Sequence, residues 1–235
     1  GNIPSEDNLN VYQSNHYLAL TNTFLRKYDL AESFFRKNIE LAGGGYDRQA
    51  LGFMPSLHIF ANNFDRAIEA TDEYIEKLPS LELPYTWENN QLANTHFNRF
   101  LSYSHNQQEE ESYNEIDLFA KYSMNVIDYN KASMTGNQYE ESKDWLDYNV
   151  ILLNAWHDIL FGRYDDARQS LSSAREYIDG WIIENPEAQF PYSDINVFEG
   201  MIYLNEGDFT ASIESYEKNI GSVGSGPLGI DNVYF

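Results

Sequence analysis

The sequence predicts an all-α protein built from consecutive pairs of antiparallel helices. Apolar residues recur at three- and four-residue spacings along most of the chain, as in Leu18, Ala19 and Leu25, followed by Ala31 and Phe34. Turn residues separate these helical periods, and almost no run alternates apolar and polar residues as a half-buried strand would. We therefore expect at least nine helices and no sheet.

Charge and composition exclude several classes of partner. The 235 residues include 15 Lys and Arg against 37 Asp and Glu, which gives a formal net charge of −22. Nucleic acids and anionic membranes need a basic face on the protein, so neither is an expected partner. With 42% hydrophobic and 15% aromatic residues, the chain carries enough apolar surface to fold. No apolar stretch approaches the roughly 18 residues that span a bilayer, so no membrane insertion is expected.

Residues that commonly hold metals or perform catalysis are absent or show no pattern. Cysteine is missing, which excludes disulfides and thiolate sites, and leaves the compartment open between a bacterial cytoplasm and export with a removed signal peptide. None of the five histidines pairs with another at the i, i+4 spacing of a helical zinc site. The chain begins with Gly1 rather than methionine, so we expect a trimmed start. No cofactor, metal or enzymatic activity is predicted.

A short motif recurs four times between the helical periods. A small or polar turn residue precedes an aromatic residue, then Asp or Thr, then a small residue where the second helix must approach the first. The four copies are RKYDLAE at 26–32, NNFDRAI at 62–68, GRYDDAR at 162–168 and GDFTASI at 207–213. We expect Ala31, Ala67 and Ala167 to be buried at helix contacts, and Asp29 to cap its helix in a capping box with Glu32.

These motifs resemble the middle of the tetratricopeptide repeat (TPR), a helix-turn-helix unit. The resemblance implies a right-handed superhelix of antiparallel repeats, an α–α solenoid. The 100 residues between Ala67 and Ala167 must hold one more, divergent hairpin, which we place at 87–105 and 112–131. Residues 1–220 then form a single TPR-like array of about five hairpins, and 221–235 form a loop and the start of a further helix.

The divergent hairpin is assigned from weaker features than the other four. Ser112 and Glu115 form the capping box of its second helix, and Ile116 occupies the small-residue slot. The acidic run 109–111 is interpreted as a solvated loop between the two helices.

The resemblance also implies a concave groove lined by the first helix of each hairpin. The residues at the groove positions carry no Lys or Arg, so the cationic clamp with which some TPR proteins hold a C-terminal carboxylate is absent. We expect a non-catalytic scaffold for a neutral to basic protein or peptide with apolar anchors. The chosen groove residues are His16, Phe24, Phe60, Asn149, Trp156, Met201 and Asn205.

Two other functions stay open at this point. Some exported glycan-binding proteins use TPR-like helices, and convergence of Trp87, Trp145, Trp156 and Trp181 on one exposed patch would favour stacking on sugars, whereas scattered burial would favour a scaffold. An enzyme with paired carboxylates on a helical toroid is the third alternative. The apolar terminus at Phe235 also allows self-association through an open C-terminal end.

Overall fold

The computed structural model describes residues 6–41, 46–184 and 192–219, and these ranges are all-helical. They contain ten α-helices and no strand, which confirms the predicted fold class. Residues 221–235, predicted to hold a loop and a further helix, lie outside the described ranges. The helices are α1 (Glu6–Phe24), α2 (Tyr28–Leu41), α3 (Tyr46–Phe60), α4 (Phe64–Lys77), α5 (Tyr85–His105), α6 (Glu109–Asn130), α7 (Gln138–Leu160), α8 (Tyr164–Glu184), α9 (Ser193–Glu206) and α10 (Phe209–Glu217).

The chain divides into two compact units, which are described separately. The N-terminal unit is Gly1–Tyr129 and the C-terminal unit is Asn130–Phe235. In the N-terminal unit each helix from α1 to α5 packs against the next, and α3 also packs against α1 and α5. In the C-terminal unit α7 packs against α8, α8 against α9, and α9 against both α10 and α7. Packing between neighbours and between alternate helices is the arrangement of an all-α repeat solenoid.

Five helix-turn-helix turns in the described residues share one backbone geometry. In each, a residue with positive φ ends the first helix, and the next residue donates its backbone N–H to the carbonyl five residues earlier, as Lys27 does to Asn22 at 2.8 Å. This is the Schellman motif, which satisfies carbonyls left open at a helix C-terminus. The positive-φ residues are Arg26, Asn62, Gln107, Gly162 and Gly207.

The shared turn aligns the hairpins and corrects the predicted register of the divergent one. Five residues after the turn, each second helix carries a small buried residue: Ala31, Ala67, Ser112, Ala167 and Ser212. The predicted burial of the three alanines is therefore confirmed. The small slot of the divergent hairpin is Ser112, and Ile116 lies four residues further on, at the position that Phe35 and Leu171 occupy in other hairpins.

The start of α6 differs from the prediction in the same region. α6 begins at Glu109, so the acidic run forms its first turn rather than a loop. Carboxylates in a first turn are favoured by the positive end of the helix dipole. Ser112 lies inside the helix, and its hydroxyl donates to the Glu109 carbonyl at 2.9 Å, so the predicted capping box does not form.

The N-cap of the second helix is the residue directly before the aromatic residue of the recurring motif, and not the residue after it. Asn63 and Asp208 are the N-caps of α4 and α10, and their side chains accept from the backbone N–H of Arg66 and Ala211. α2 begins at Tyr28, so Asp29 lies within its first turn and the predicted cap at Asp29 is wrong. The aromatic residue of the motif is thus the first helical residue, directly after the cap.

Candidate functional site

A groove of about 700 Å³ lies in the N-terminal unit between the first helices of its hairpins. Its walls come from α3 and α5, with contributions from the start of α1 and from α4. We call it the N-terminal groove. Its amide side chains are Gln49, Gln91, Asn94 and Asn98, and its aromatic side chains are Phe53, Tyr74, Trp87 and Phe97.

The repeat register explains why α3 and α5 present matching positions to this groove. Gln49 and Asn94 both lie 13 residues before the positive-φ residue of their turn, and Phe53 and Asn98 both lie nine residues before it. Asn94 and Asn98 were missed because the divergent hairpin lacks the aromatic motif that fixes the register.

One polar contact crosses the floor of the groove. The Tyr74 hydroxyl donates to Gln91 Oε1 at 3.0 Å, joining α4 to α5. Burial raises the pKa of Tyr74 to about 12, so the hydroxyl keeps its proton at neutral pH and can donate. A Cβ added at Gly52 would lie 3.6 Å from both of these side-chain oxygens, which shows that α3 passes close above this contact. The contact therefore holds the Gln91 amide in place.

The groove surface is apolar and amide-rich, with little charge. Phe53 and Trp87 remain 42% and 64% exposed, so both rings are accessible to a ligand. Arg48 is the one charged residue that lines this groove among the described residues. Arg48 is not one of the groove positions assigned from the sequence, which carry no Lys or Arg. A single arginine does not make up a cationic clamp, which needs several positive side chains.

The predicted groove residues of the N-terminal unit lie beside the groove rather than in it. The His16 ring is half-buried behind the wall, with its centroid 5.7 Å from that of Phe53. Burial lowers the pKa of His16, so the ring there is neutral at pH 7. Phe24 and Phe60 are exposed near the ends of α1 and α3, and neither lines the groove. His16 therefore supports Phe53, whereas Phe24 and Phe60 face solvent elsewhere.

The predicted groove residues of the C-terminal unit do not meet in one pocket. Trp156 is 1% exposed and packs against Phe198 with ring centroids 5.8 Å apart, so it joins α7 to α9. Trp156, which was predicted to line the groove, is therefore closed to a ligand between these two helices. Asn149 and Asn205 donate to the backbone of their own helices, to the carbonyls of Trp145 and Met201 respectively.

The four tryptophans neither converge on one patch nor scatter uniformly through the core. Trp87 lines the N-terminal groove and Trp156 is buried in the C-terminal unit. Trp145 and Trp181 lie together in the C-terminal unit, with ring centroids 5.5 Å apart. Two of the four rings therefore lie together within the C-terminal unit.

The described residues show neither a metal-ligand cluster nor a bilayer-length apolar helix. No group of three or more His, Asp or Glu side chains in these ranges could hold a metal ion. Within the same ranges, no helix combines the length and the hydropathy needed to cross a membrane.

Comparison with known proteins agrees with the repeat architecture. A family model described as tetratricopeptide repeat matches residues 193–221, which include α9, the Gly207 turn and α10. No curated protein and no solved structure was found to match the chain. The matched hairpin has the same turn and the same buried small residue as the other four, so the match and the ten-helix architecture fit a TPR-like repeat protein.

Proposed function

We propose that this TPR-like helical repeat protein is a non-catalytic scaffold that binds a peptide segment of a partner protein in the N-terminal groove. The observation that carries the proposal is the groove itself. Equivalent positions of α3 and α5 place amide and aromatic side chains along one cleft of about 700 Å³. That volume lies within the range of sites that bind small molecules, and the groove is open enough at its rim to admit a side chain of a peptide.

The amides of the groove suit recognition of a peptide backbone. Each Asn or Gln side chain offers two donors and an acceptor, and a peptide bond offers one of each. Gln49, Asn94 and Asn98 can therefore bond an extended backbone whatever its side chains are. Phe53 and Trp87 supply partly exposed rings for apolar anchors, and aromatic anchors commonly carry much of the binding energy at an interface.

The partner we propose is neutral to basic. The whole chain carries a net charge of −22, and Arg48 alone supplies a cation among the described residues of the groove. An acidic segment would meet repulsion with one positive side chain to offset it. Basic residues on the partner that flank the groove should speed association at low ionic strength, and added salt should weaken that contribution.

The proposal is tested by selecting peptides on the wild-type chain from a random display library. The selected peptides are then measured against Phe53→Ala and Asn94→Ala by titration calorimetry. We expect each change to weaken binding, with Phe53→Ala costing about 2 kcal/mol, as for an interface anchor. Phe24→Ala is the matched control, since Phe24 is 86% exposed and outside the groove.

Two results would contradict the proposal. Peptides that bind Phe53→Ala and Asn94→Ala as tightly as the wild-type chain would move the site out of the groove. Selection of acidic rather than neutral or basic peptides would contradict the proposed charge of the partner.

A further inference from the structure

A second cleft lies in the C-terminal unit, between the first turns of α7 and the last turns of α8. Its volume is about 930 Å³, and it opens to solvent. Three aromatic rings and three carboxylates line it: Trp145, Tyr177 and Trp181 with Glu141, Asp144 and Glu176. We call it the aromatic–acidic cleft.

The Trp145 ring is set steeply to the other two rings of this cleft. Trp145 meets Trp181 at 71° with centroids 5.5 Å apart, and meets Tyr177 at 66° with centroids 5.9 Å apart. The buried Tyr148 stacks on Tyr177 at 5.2 Å and holds that ring from behind. The planes of rings at such angles face the same point in the cleft from different directions. They cannot all lie flat against one sugar ring, but they can all contact a compact cation.

The charged side chains that line the cleft among the described residues are all carboxylates. Among the described residues, no Lys or Arg lines the cleft, and Glu141, Asp144 and Glu176 form no ion pair. Lys143, the lysine nearest to these residues in sequence, pairs with Glu140 instead, at 3.3 Å. Besides burial, the charges of Asp144, Asp147 and Glu141 raise the pKa of Tyr177, so their field reaches the ring.

We propose that the aromatic–acidic cleft binds a lysine side chain of a polypeptide partner. Aromatic faces attract an ammonium group through the ring quadrupole, an interaction that strengthens when the cation is partly desolvated. The three carboxylates add direct electrostatic attraction, and an anionic ligand is repelled by the same groups. The lysine alkyl chain covers apolar ring surface while its ammonium group reaches the carboxylates. This site goes beyond the proposed function, because it lies in the other unit and does not need the N-terminal groove.

Gly180 gives a way to close the cleft without disturbing the fold. It lies in α8 on the cleft wall, and a Cβ added there would meet no heavy atom within 4 Å. Its φ is not in the left-handed region, so a side chain is accommodated without backbone strain. Gly180→Leu should therefore fill part of the cleft in a folded protein.

The test uses the side-chain indole N–H resonances of the four tryptophans, assigned with single Trp→Phe variants. The probe is Nα-acetyl-lysine N-methylamide, and the matched neutral probe is the same molecule acetylated on Nε. We expect the charged probe to shift the Trp145 and Trp181 resonances in a saturable way and to leave the Trp87 resonance unchanged. The neutral probe should shift none of them.

Two variants and one control separate the proposed site from general attraction to an acidic chain. Glu141→Gln with Asp144→Asn should weaken binding of the charged probe about tenfold, a factor that corresponds to about 1.4 kcal/mol, and Gly180→Leu should abolish it. Asp165→Asn with Glu214→Gln removes the same charge from exposed positions of the same unit and should change little.

Several outcomes would overturn this assignment. The first is that the charged and neutral probes shift the Trp145 and Trp181 resonances equally, or that neither shift saturates. The second is that methyl glucoside shifts these resonances and the charged probe does not. The third is that the two double variants weaken binding of the charged probe equally. Because the readout is the Trp145 and Trp181 resonances, these failures are distinct from loss of peptide binding at Phe53, which tests the N-terminal groove.

Discussion

Gly200 of α9 lies directly against the ring of Tyr216 of α10. A Cβ added at Gly200 would be 2.8 Å from both Cε1 and Cζ of that ring. In the first hairpin the equivalent positions hold Ala19 and Phe35, both buried in the same apolar cluster. The glycine therefore makes room for the larger tyrosine, and the pair fixes how closely α9 and α10 approach.

Gly200→Ala should destabilise the protein by about 1–3 kcal/mol, because the half-buried Tyr216 ring or one of the two helices must move to relieve the overlap. Chemical denaturation measures the change in free energy of unfolding. Gly180→Ala is the control: its Cβ meets no neighbour, and helix propensity alone favours alanine by up to about 1 kcal/mol. If Gly200→Ala had the same free energy of unfolding as the wild-type chain, the close contact would be contradicted.

The register of the divergent hairpin can be tested by substitution at its two candidate small positions. Ser112→Leu should overpack the helix contact and cost about 1–3 kcal/mol, as should Ala167→Leu at the equivalent position of the fourth hairpin. Ile116→Leu conserves volume and should cost less than about 1.5 kcal/mol. Denaturation experiments measure the loss in free energy of unfolding. A larger loss for Ile116→Leu than for Ser112→Leu would support the register predicted from the sequence instead.

A buried ionic network joins α5 to α6 through Glu115. Its Oε1 accepts from Arg99 Nε at 2.8 Å, and its Oε2 lies 2.5 Å from His96 Nδ1. Arg99 also pairs with the exposed Asp72. Glu115→Leu should still cost about 3 kcal/mol, since the largely buried Arg99 then keeps only that exposed carboxylate. Glu140→Leu, which removes the exposed partner of Lys143, should cost far less, because exposed ion pairs contribute little to stability. Equal losses in the two variants would show that the Glu115 network contributes no more than a surface pair.

His58 should titrate below the ordinary histidine pKa. Burial lowers the pKa of His58, with Arg66 and Arg36 lowering it further against the opposing effect of Glu32. An NMR titration of the ring Cε1–H should therefore give a midpoint below about 6.5. A midpoint at or above that value would show that Glu32 outweighs burial.

The same shift makes stability depend on pH in a known direction. Between the folded pKa and about 6.5 the unfolded chain binds more protons at His58 than the folded chain, so the free energy of unfolding rises with pH. The stability that neutral His58 contributes is therefore lost as pH falls below about 6.5. His58→Gln should reduce the difference in free energy of unfolding between pH 7 and pH 5, measured by denaturation, whereas Phe24→Ala should leave it unchanged.

The all-α class and four of the five hairpins could be predicted from local sequence. Helical periodicity and the motif around Tyr28, Phe64, Tyr164 and Phe209 depend on contacts within about ten residues, which a sequence displays directly. The position of the cap was missed by two residues, because Asp29 resembles a capping residue while the helix starts at the preceding tyrosine.

The register of the third hairpin was decided by tertiary structure. Its turn has Gln107 in the left-handed conformation and Glu109 in place of the aromatic residue, so the local motif is absent. The turn forms nevertheless, and it places Ser112 at the buried helix contact, where a small side chain is needed.

Tertiary packing also decided which apolar side chains a ligand can reach. Trp156 and Phe53 are both aromatic residues in the first helix of a hairpin, but Phe53 remains partly open to the groove whereas Trp156 packs against Phe198 of α9. The sequence by itself determined that these helices have apolar faces, because that depends on spacing along one helix. Which part of each face stays exposed depends on the neighbouring helix, whose distance and side chains are set only when the hairpins pack.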